Sequence, residues 1–291
     1  MTAAVERAKS LKFWSGAVAP LQIKGGITNA NFRVECGGRA YFVRIGDDIP
    51  VHGVMRFNEL AASRAAARCG LSPDVRHAEP GALVFDFVEA RTFSAEDVRQ
   101  RDNLGRILGL ICRCHRDMPR EIRGPALIFW VFHVLRDYAH SLKDGRSRHL
   151  PALARLMRIA EELEQMVGPV DIVYGHNDLL PSNLLDDGQR LWLIDWDYAG
   201  FNSPLFDLAN LCSNNEVEPE SEIWLLEAYF EQRADDTLLR RYGAMKCASL
   251  LRETLWSMIS EIHSTLDFDY AAYTAENLAR FERAYADLSH R

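Results

Sequence analysis

Tyr174 to Asp197 reads YGHNDLLPSNLLDDGQRLWLIDWD, with four polar residues set among apolar runs: His176, Asp178, Asn183 and Asp195. Ile172-Val173-Tyr174 before it and Leu191-Trp192-Leu193-Ile194 near its end predict short buried strands. Between them Asp186-Asp187-Gly188 is a turn signal, and Pro181 limits any helix in the connecting loop. A strand, a polar loop, a turn and a second strand ending in Asp195 would gather Asp178, Asn183 and Asp195 around one spot. That donor set suits phosphoryl transfer. One carboxylate takes the proton of an attacking hydroxyl, while an amide oxygen and a second carboxylate hold Mg2+ on nucleotide phosphates. Two ordinary strands with polar turn residues would give the same local pattern without the chemistry.

The whole chain sets bounds on this reading. Its 291 residues suffice for one large or two moderate domains, and an apolar share of 48% with 26% charged residues is that of a globular protein. A formal charge of −7 argues against a nucleic-acid partner and favours cationic ligands. No run approaches the roughly 18 apolar residues of a membrane helix. MTAAVERAKS has no apolar core followed by a cleavage site, so the expected location is cytoplasmic, without membrane insertion. Cysteines 36, 69, 112, 114, 212 and 247 form no C-x-x-C pair and read as reduced, mostly buried thiols.

Taken in order, Gly25-Gly26 precede Thr28-Asn29-Ala30-Asn31 and an alternating strand, Phe32-Arg33-Val34-Glu35. A Gly-rich turn lets backbone N–H groups approach phosphate, and a plain hairpin turn fits as well. Arg44 stands mid-strand in Ala40–Ile45. Buried there it requires an anionic partner; on an edge strand it would face solvent. RFNELAASRAAARC, residues 56–69, predicts an alanine-rich helix stopped by Gly70. Gly81–Glu89 predicts another strand, and past Ala90 the pattern turns helical. Ser94-Ala95-Glu96-Asp97 resembles a helix start, and Leu104, Ile107, Leu108, Ile111, Cys112 and His115 continue one helix face. His115 fits a satisfied core or capping histidine better than a catalytic one. Residues 128–142 and 150–167 predict amphipathic helices, with a solvated charged loop at 144–148.

Asp178-x4-Asn183 matches the D-x4-N of the protein-kinase catalytic loop, but H-R-D, D-F-G and A-P-E are all absent. The longer combination is more specific. H-x-D-x4-N at 176–183, Asp195-Trp196-Asp197-Tyr198, G-G-x-T-N-x-x-F-x-V at 25–34 and F-D-L-A-N at 206–210 all occur. With Leu255-Trp256-Ser257 and Asp267-Phe268-Asp269-Tyr270 followed by Tyr273, they resemble the choline/ethanolamine kinase branch of the aminoglycoside-phosphotransferase-like family. The resemblance covers almost all of residues 20–286. It implies a bilobal α+β, protein-kinase-like fold, with a small antiparallel-sheet N-lobe (1–89) for the nucleotide and a larger helical C-lobe (90–291) for catalysis and acceptor. It further implies ATP phosphates on Thr28, Asn29, Asn31 and Arg44, with Glu59 orienting Arg44, and adenine against the backbone of Asp86 to Val88. Asp178 would be the proton acceptor, His176 would shape its loop, Asn183 and Asp195 would hold Mg2+, and Asp207 would brace the loop. Acceptor contacts fall to Asp178, Asp197, Tyr198, Glu253, Trp256 and Tyr273.

Two departures bear on the acceptor. Glu253 stands where the family commonly has a second Trp, and Asn214-Asn215 where it has Glu-Trp. The expected activity is Mg-ATP-dependent phosphorylation of a small cationic alcohol, choline first and ethanolamine beside it. Thiamine or an aminoglycoside as acceptor, a catalytically silent nucleotide-binding protein, and a homodimer all stay open at this point.

Overall fold

Alternation along the first third of the chain sorts its side chains onto two faces of one sheet. In the computed structural model, which describes residues 2–23, 29–264, 266 and 268–290, five strands pair antiparallel. They run in the order β1 (Leu21–Gln22), β2 (Ala30–Cys36), β3 (Arg39–Ile45), β5 (Ala82–Asp86) and β4 (Val75–Glu79). Gly25, Gly26 and Thr28 of the glycine turn lie outside the described residues, as do Thr265 and Asp267. On one face Phe32, Val34, Val43 and Val84 pack with Ala8 and Leu11 from α1 (Thr2–Lys9) and the turn after it. The other face carries Asn31, directly opposite Arg44 in the β2–β3 register, with Phe42 and Phe85.

The alanine-rich stretch forms α2 (Arg56–Arg68). Its small Ala62, Ala65 and Ala66 are fully buried, so the helix sits close to its neighbours and joins the core of the larger lobe. The chain then passes through β6 (Arg91–Thr92) to a true capping box at Ser94, where Ser94 and Asp97 bond reciprocally and start α3 (Ala95–Arg99). The helices α4 (Arg101–Glu121), α5 (Val131–Asp144) and α6 (Leu150–Val167) follow. Residues 128–130, expected to be helical, are extended instead: Ile128 bridges to Phe201 and is exposed.

Around the opening stretch lie β7 (Val173–Gly175), β8 (Leu184–Asp186), β9 (Leu191–Leu193) and β10 (Gly200–Asn202). The Asp-Asp-Gly turn closes the β8–β9 hairpin, while β7 pairs with β10, with Gly200 opposite Gly175. Tyr174 is fully buried, but Ile172, expected in a buried strand, precedes β7 and is 61% exposed. The remainder is α7 (Pro204–Asn215), α8 (Pro219–Phe230), α9 (Asp236–His263) and α10 (Tyr270–Ser289). Helix α9 is buried on nearly all sides through its C-terminal half, as a central helix must be, and packs against α5, α6, α7 and α10. The fold is bilobal α+β, and no helix among the described residues is long and apolar enough to cross a membrane.

Gly200 permits the close approach that holds β10 beside residues 127–129. A Cβ there would stand 2.8 Å from the Leu127 carbonyl oxygen. Backbone cannot yield as a flexible side chain can, so Gly200→Ala should cost about 1–3 kcal/mol. An unchanged denaturant midpoint for that variant would mean that the 127–129 segment shifts freely.

Candidate active site

The loop between β7 and β8 is held from behind by α7. Asp207, near the N-terminus of that helix, accepts hydrogen bonds from the amides of His176 (2.8 Å) and Asn177 (2.7 Å). Asn210, one turn on, accepts from the Leu179 amide at 2.6 Å. Burial works against an ionised Asp207, but the His115 Nε2 donor at 2.9 Å and the amides hold its carboxyl below the usual range. The other nitrogen of His115 lies 2.8 Å from the Tyr229 hydroxyl. His176 Nε2 is 2.9 Å from the Ile194 carbonyl, which only accepts, so this nitrogen carries the ring proton. Burial lowers the His176 pKa and favours the neutral ring. Thus His176 ties the loop to the segment that carries Asp195.

Both segments contain a residue in the left-handed region: Asn177 at φ 65° and Asp195 at φ 69°. Neither is glycine, so each position is held by its surroundings. The Asn177 side-chain amide supplies this for the first by donating to the Tyr198 carbonyl at 3.0 Å. For the second, Trp196 is buried with its Nε1 on Ser72 Oγ at 2.7 Å and its ring edge-on to His176. With Trp196 turned inward, Asp195 and Asp197 on either side face the cleft.

That cleft lies between the lobes and has a volume of about 530 Å³. Arg44 lines it and is buried, not solvent-facing. Its Nη1 donates to Glu59 at 2.6 Å, Asp195 at 2.9 Å and Asp197 at 3.1 Å. Burial of Arg44 opposes its charge, yet these three carboxylates raise its pKa well above normal. Arg56 adds bonds to Glu59 (2.6 Å), Asp197 (2.8 Å) and the Asn29 side chain (2.7 Å). Asp195 is kept ionised: burial would raise its pKa, but the charge and hydrogen bond of Arg44 outweigh it. Asp197 is pushed up by burial and by Asp195 beside it. The structure therefore engages Asp197, expected on the acceptor side, with two arginines of the sheet lobe. Asn31 lines the same end, its Oδ1 buried without a hydrogen-bond partner. Asp86 and Val88 line it too, but the Asp86 amide already donates to Asp74 and its carboxylate holds Arg76.

Asp178 lies at the floor of the cleft. Burial raises its pKa to about 7, with Glu253, Asp195 and Asp197 adding to the rise and Arg252 opposing it. The Asn183 Nδ2 donates to the Asp178 carbonyl at 2.9 Å, which leaves Oδ1 as the free end of the amide. Asn183 Oδ1 and the second Asp195 oxygen are hard donors of the kind Mg2+ takes. No cluster of three or more metal-binding side chains exists among the described residues. A cation carried largely by phosphate oxygens needs only this pair, so the residues fit it.

On the far side stand Tyr198, Glu253, Trp256 and Tyr273. Trp256 Nε1 donates to the Tyr198 hydroxyl at 2.9 Å, and the Tyr273 hydroxyl donates to Glu253 at 2.8 Å. Sequence reasoning missed Arg252, which is 2% exposed and lies between these groups. A charge on the apolar stripe of a central helix, four residues before Trp256, was the available signal. Arg56 and Asn177 were missed as well.

The class these features define is that of phosphotransferases acting on an alcohol. Residues 21–224 match the family model described as choline/ethanolamine kinase, and the chain belongs to that family. Protein LicA of Haemophilus influenzae is 27% identical over 264 residues, covering 87% of this chain and 76% of that one. Ethanolamine kinase 2 of Rattus norvegicus is 26% identical over 299 residues, 92% and 76% of the two chains. A crystal structure of a choline/ethanolamine kinase family protein from Mesorhizobium loti superposes with a TM-score of 0.78. It is 28% identical and covers 98% of this chain and 95% of its own.

Two outcomes follow from the geometry. Asp207→Asn strands at least one buried amide of the loop without an acceptor, which costs about 1–3 kcal/mol. Unaltered stability and kcat would remove Asp207 as its brace. For Asp178, a carboxyl raised to about 7 is protonated below that value and available as a base above it. The kcat/KM for the acceptor should therefore fall as pH drops through 7; a profile flat down to about pH 5.5 would contradict this.

Proposed function

We propose that the protein transfers the γ-phosphoryl group of ATP to the hydroxyl of a small amino alcohol, choline or ethanolamine. The hydroxyl oxygen forms the new bond to phosphorus, the bond to the ADP oxygen breaks, and the hydroxyl proton passes to Asp178. Asn183 and Asp195 would hold Mg2+, whose part is to neutralise phosphate charge. Arg44, oriented by Glu59, would meet the phosphates together with Asn29, Asn31 and Thr28. Adenine would lie against the 86–88 backbone, with residues 1–89 as the nucleotide lobe. His176 and Asp207 act through the loop they shape. Trp256 and Tyr273 would face the acceptor, and Glu253 would supply the counter-charge for its ammonium.

One observation carries this reading. Asp178, Asn183 and Asp195 meet in a single cleft that also holds a buried guanidinium at one end and aromatic rings beside a carboxylate at the other. Catalysis in such a site rests on positioning and charge neutralisation.

The test is Mg2+-dependent consumption of ATP by the purified protein with choline, ethanolamine, thiamine and an aminoglycoside in parallel. Turnover confined to the amino alcohols is expected. Turnover confined to thiamine or the aminoglycoside would replace the acceptor class, and none with any acceptor would favour a silent nucleotide-binding protein. Asp178→Asn should lower kcat by roughly 10²–10⁴-fold and change the KM for ATP little. Near-normal turnover would take Asp178 out of the mechanism.

A further inference from the structure

Arg252 is a buried charge lining the cleft that the proposed chemistry leaves unused. It comes from the middle of α9 and is 2% exposed. Its Nη1 donates to Glu253 Oε2 at 3.0 Å and lies 3.8 Å from Asp178 Oδ1. The guanidinium carbon stands 4.3 Å from the centre of the Tyr198 ring and 5.8 Å from that of Phe129. Nε and Nη2 are buried without hydrogen-bond partners, so the rings and the two carboxylates supply what compensation this charge receives. Because those atoms are occluded, they offer no seat to an anion on the ligand.

We propose that Arg252 sets acceptor specificity: it is a built-in cation that occupies the Tyr198 face and half of the Glu253 carboxylate, so the site takes an alcohol with a compact N–H-bearing ammonium in preference to a quaternary one. This rests on the amino-alcohol reading above and narrows it.

Held by contact alone, a trimethylammonium needs open ring faces and uncompensated negative charge, since it has no N–H to donate. Here one face of two of the rings is already engaged. Tyr198 carries Arg252 on its face. His52 stacks on Trp256 at 5.0 Å between centroids and 29° between planes. This imidazole is no second cation: burial, then the charges of Arg252 and His263, lower its pKa to about 3. The Tyr273 hydroxyl is bound to Glu253. The polar anchor for a ligand is Glu253, whose two oxygens each accept one hydrogen bond, from Arg252 and from Tyr273, and keep a further lone pair. A primary ammonium can donate to them and a quaternary one cannot.

The experiment is a methylation series on the wild-type enzyme with saturating Mg-ATP: ethanolamine, its N-methyl and N,N-dimethyl derivatives, and choline. We expect kcat/KM to fall along the series, with the steepest step, roughly tenfold for one lost charge-assisted hydrogen bond, where the last N–H disappears. Arg252→Leu should flatten the series toward choline, and Arg252→Lys should retain part of the slope, while the KM for ATP changes less than the acceptor selectivity in both. Since loss of a buried charge can impair folding, ATP binding by each variant serves as the folding readout and the wild-type series stands by itself. Choline used as well as ethanolamine by the wild type would overturn the proposal. So would a series whose slope is unaltered in a folded Arg252→Leu. If no member of the series promotes ATP consumption, the amino-alcohol reading itself fails, a result distinct from either.

Discussion

A guanidinium taken out of water must be met by anions, and Arg44 is met by three: Glu59 of its own lobe, and Asp195 and Asp197 of the other. Each carboxylate holds Arg44 from a different direction, which makes the cluster a positional constraint whatever its net contribution to stability. It fixes α2 against β3 and fixes both against the segment after β9. Arg56 doubles the constraint by bonding Glu59 and Asp197 from the first turn of the same helix. These two side chains tie the sheet lobe to the segment that carries Asp195 and Asp197.

A second set of bonds orients the floor of the cleft. The amides of residues 176, 177 and 179 all donate into α7, so the loop is held through its backbone and its side chains stay free to face the cavity. Gly175 allows the approach, since a Cβ there would stand 3.1 Å from Asp207 Oδ2. Left-handed backbone at Asn177 and Asp195 belongs to the same economy: strain at two points aims the carboxylates of Asp178 and Asp195 into one space.

Much of this was readable from the chain because its signals are local. The spacing from His176 to Asn183 and the Asp-Trp-Asp triplet lie within two dozen residues of one another. Apolar periodicity likewise gave α6 at its bounds, and the Ser94 box gave the start of α3. What escaped depends on pairing across the fold. Asp197 meets Arg56 across 141 positions, and His115 meets Asp207 across 92. No window of periodicity spans either. Ile172 failed for a related reason: an apolar residue next to a short strand is buried only if something covers it, and nothing local says whether it is covered. Helix α1 covering the outer face of the sheet is a tertiary fact of the same kind.

Arg252 shows how a polar residue in an apolar helix can be understood only through its neighbours. Two carboxylates, Asp178 and Glu253, stand on one side of it, and the rings of Tyr198 and Phe129 lie within cation–π reach. Burial and the surrounding carboxylates press the Asp178 carboxyl toward its neutral form; Arg252 is first among the groups that resist. Were Arg252 absent, Asp178 and Glu253 would lose the guanidinium that lies beside both of them. Its charge opposes the rise of the Asp178 pKa while Glu253 keeps an ion pair with it. On the proposed reading, the charge that would narrow the choice of acceptor is the same charge that opposes protonation of Asp178, so acceptor selectivity and the acid side of the pH profile would depend on one side chain.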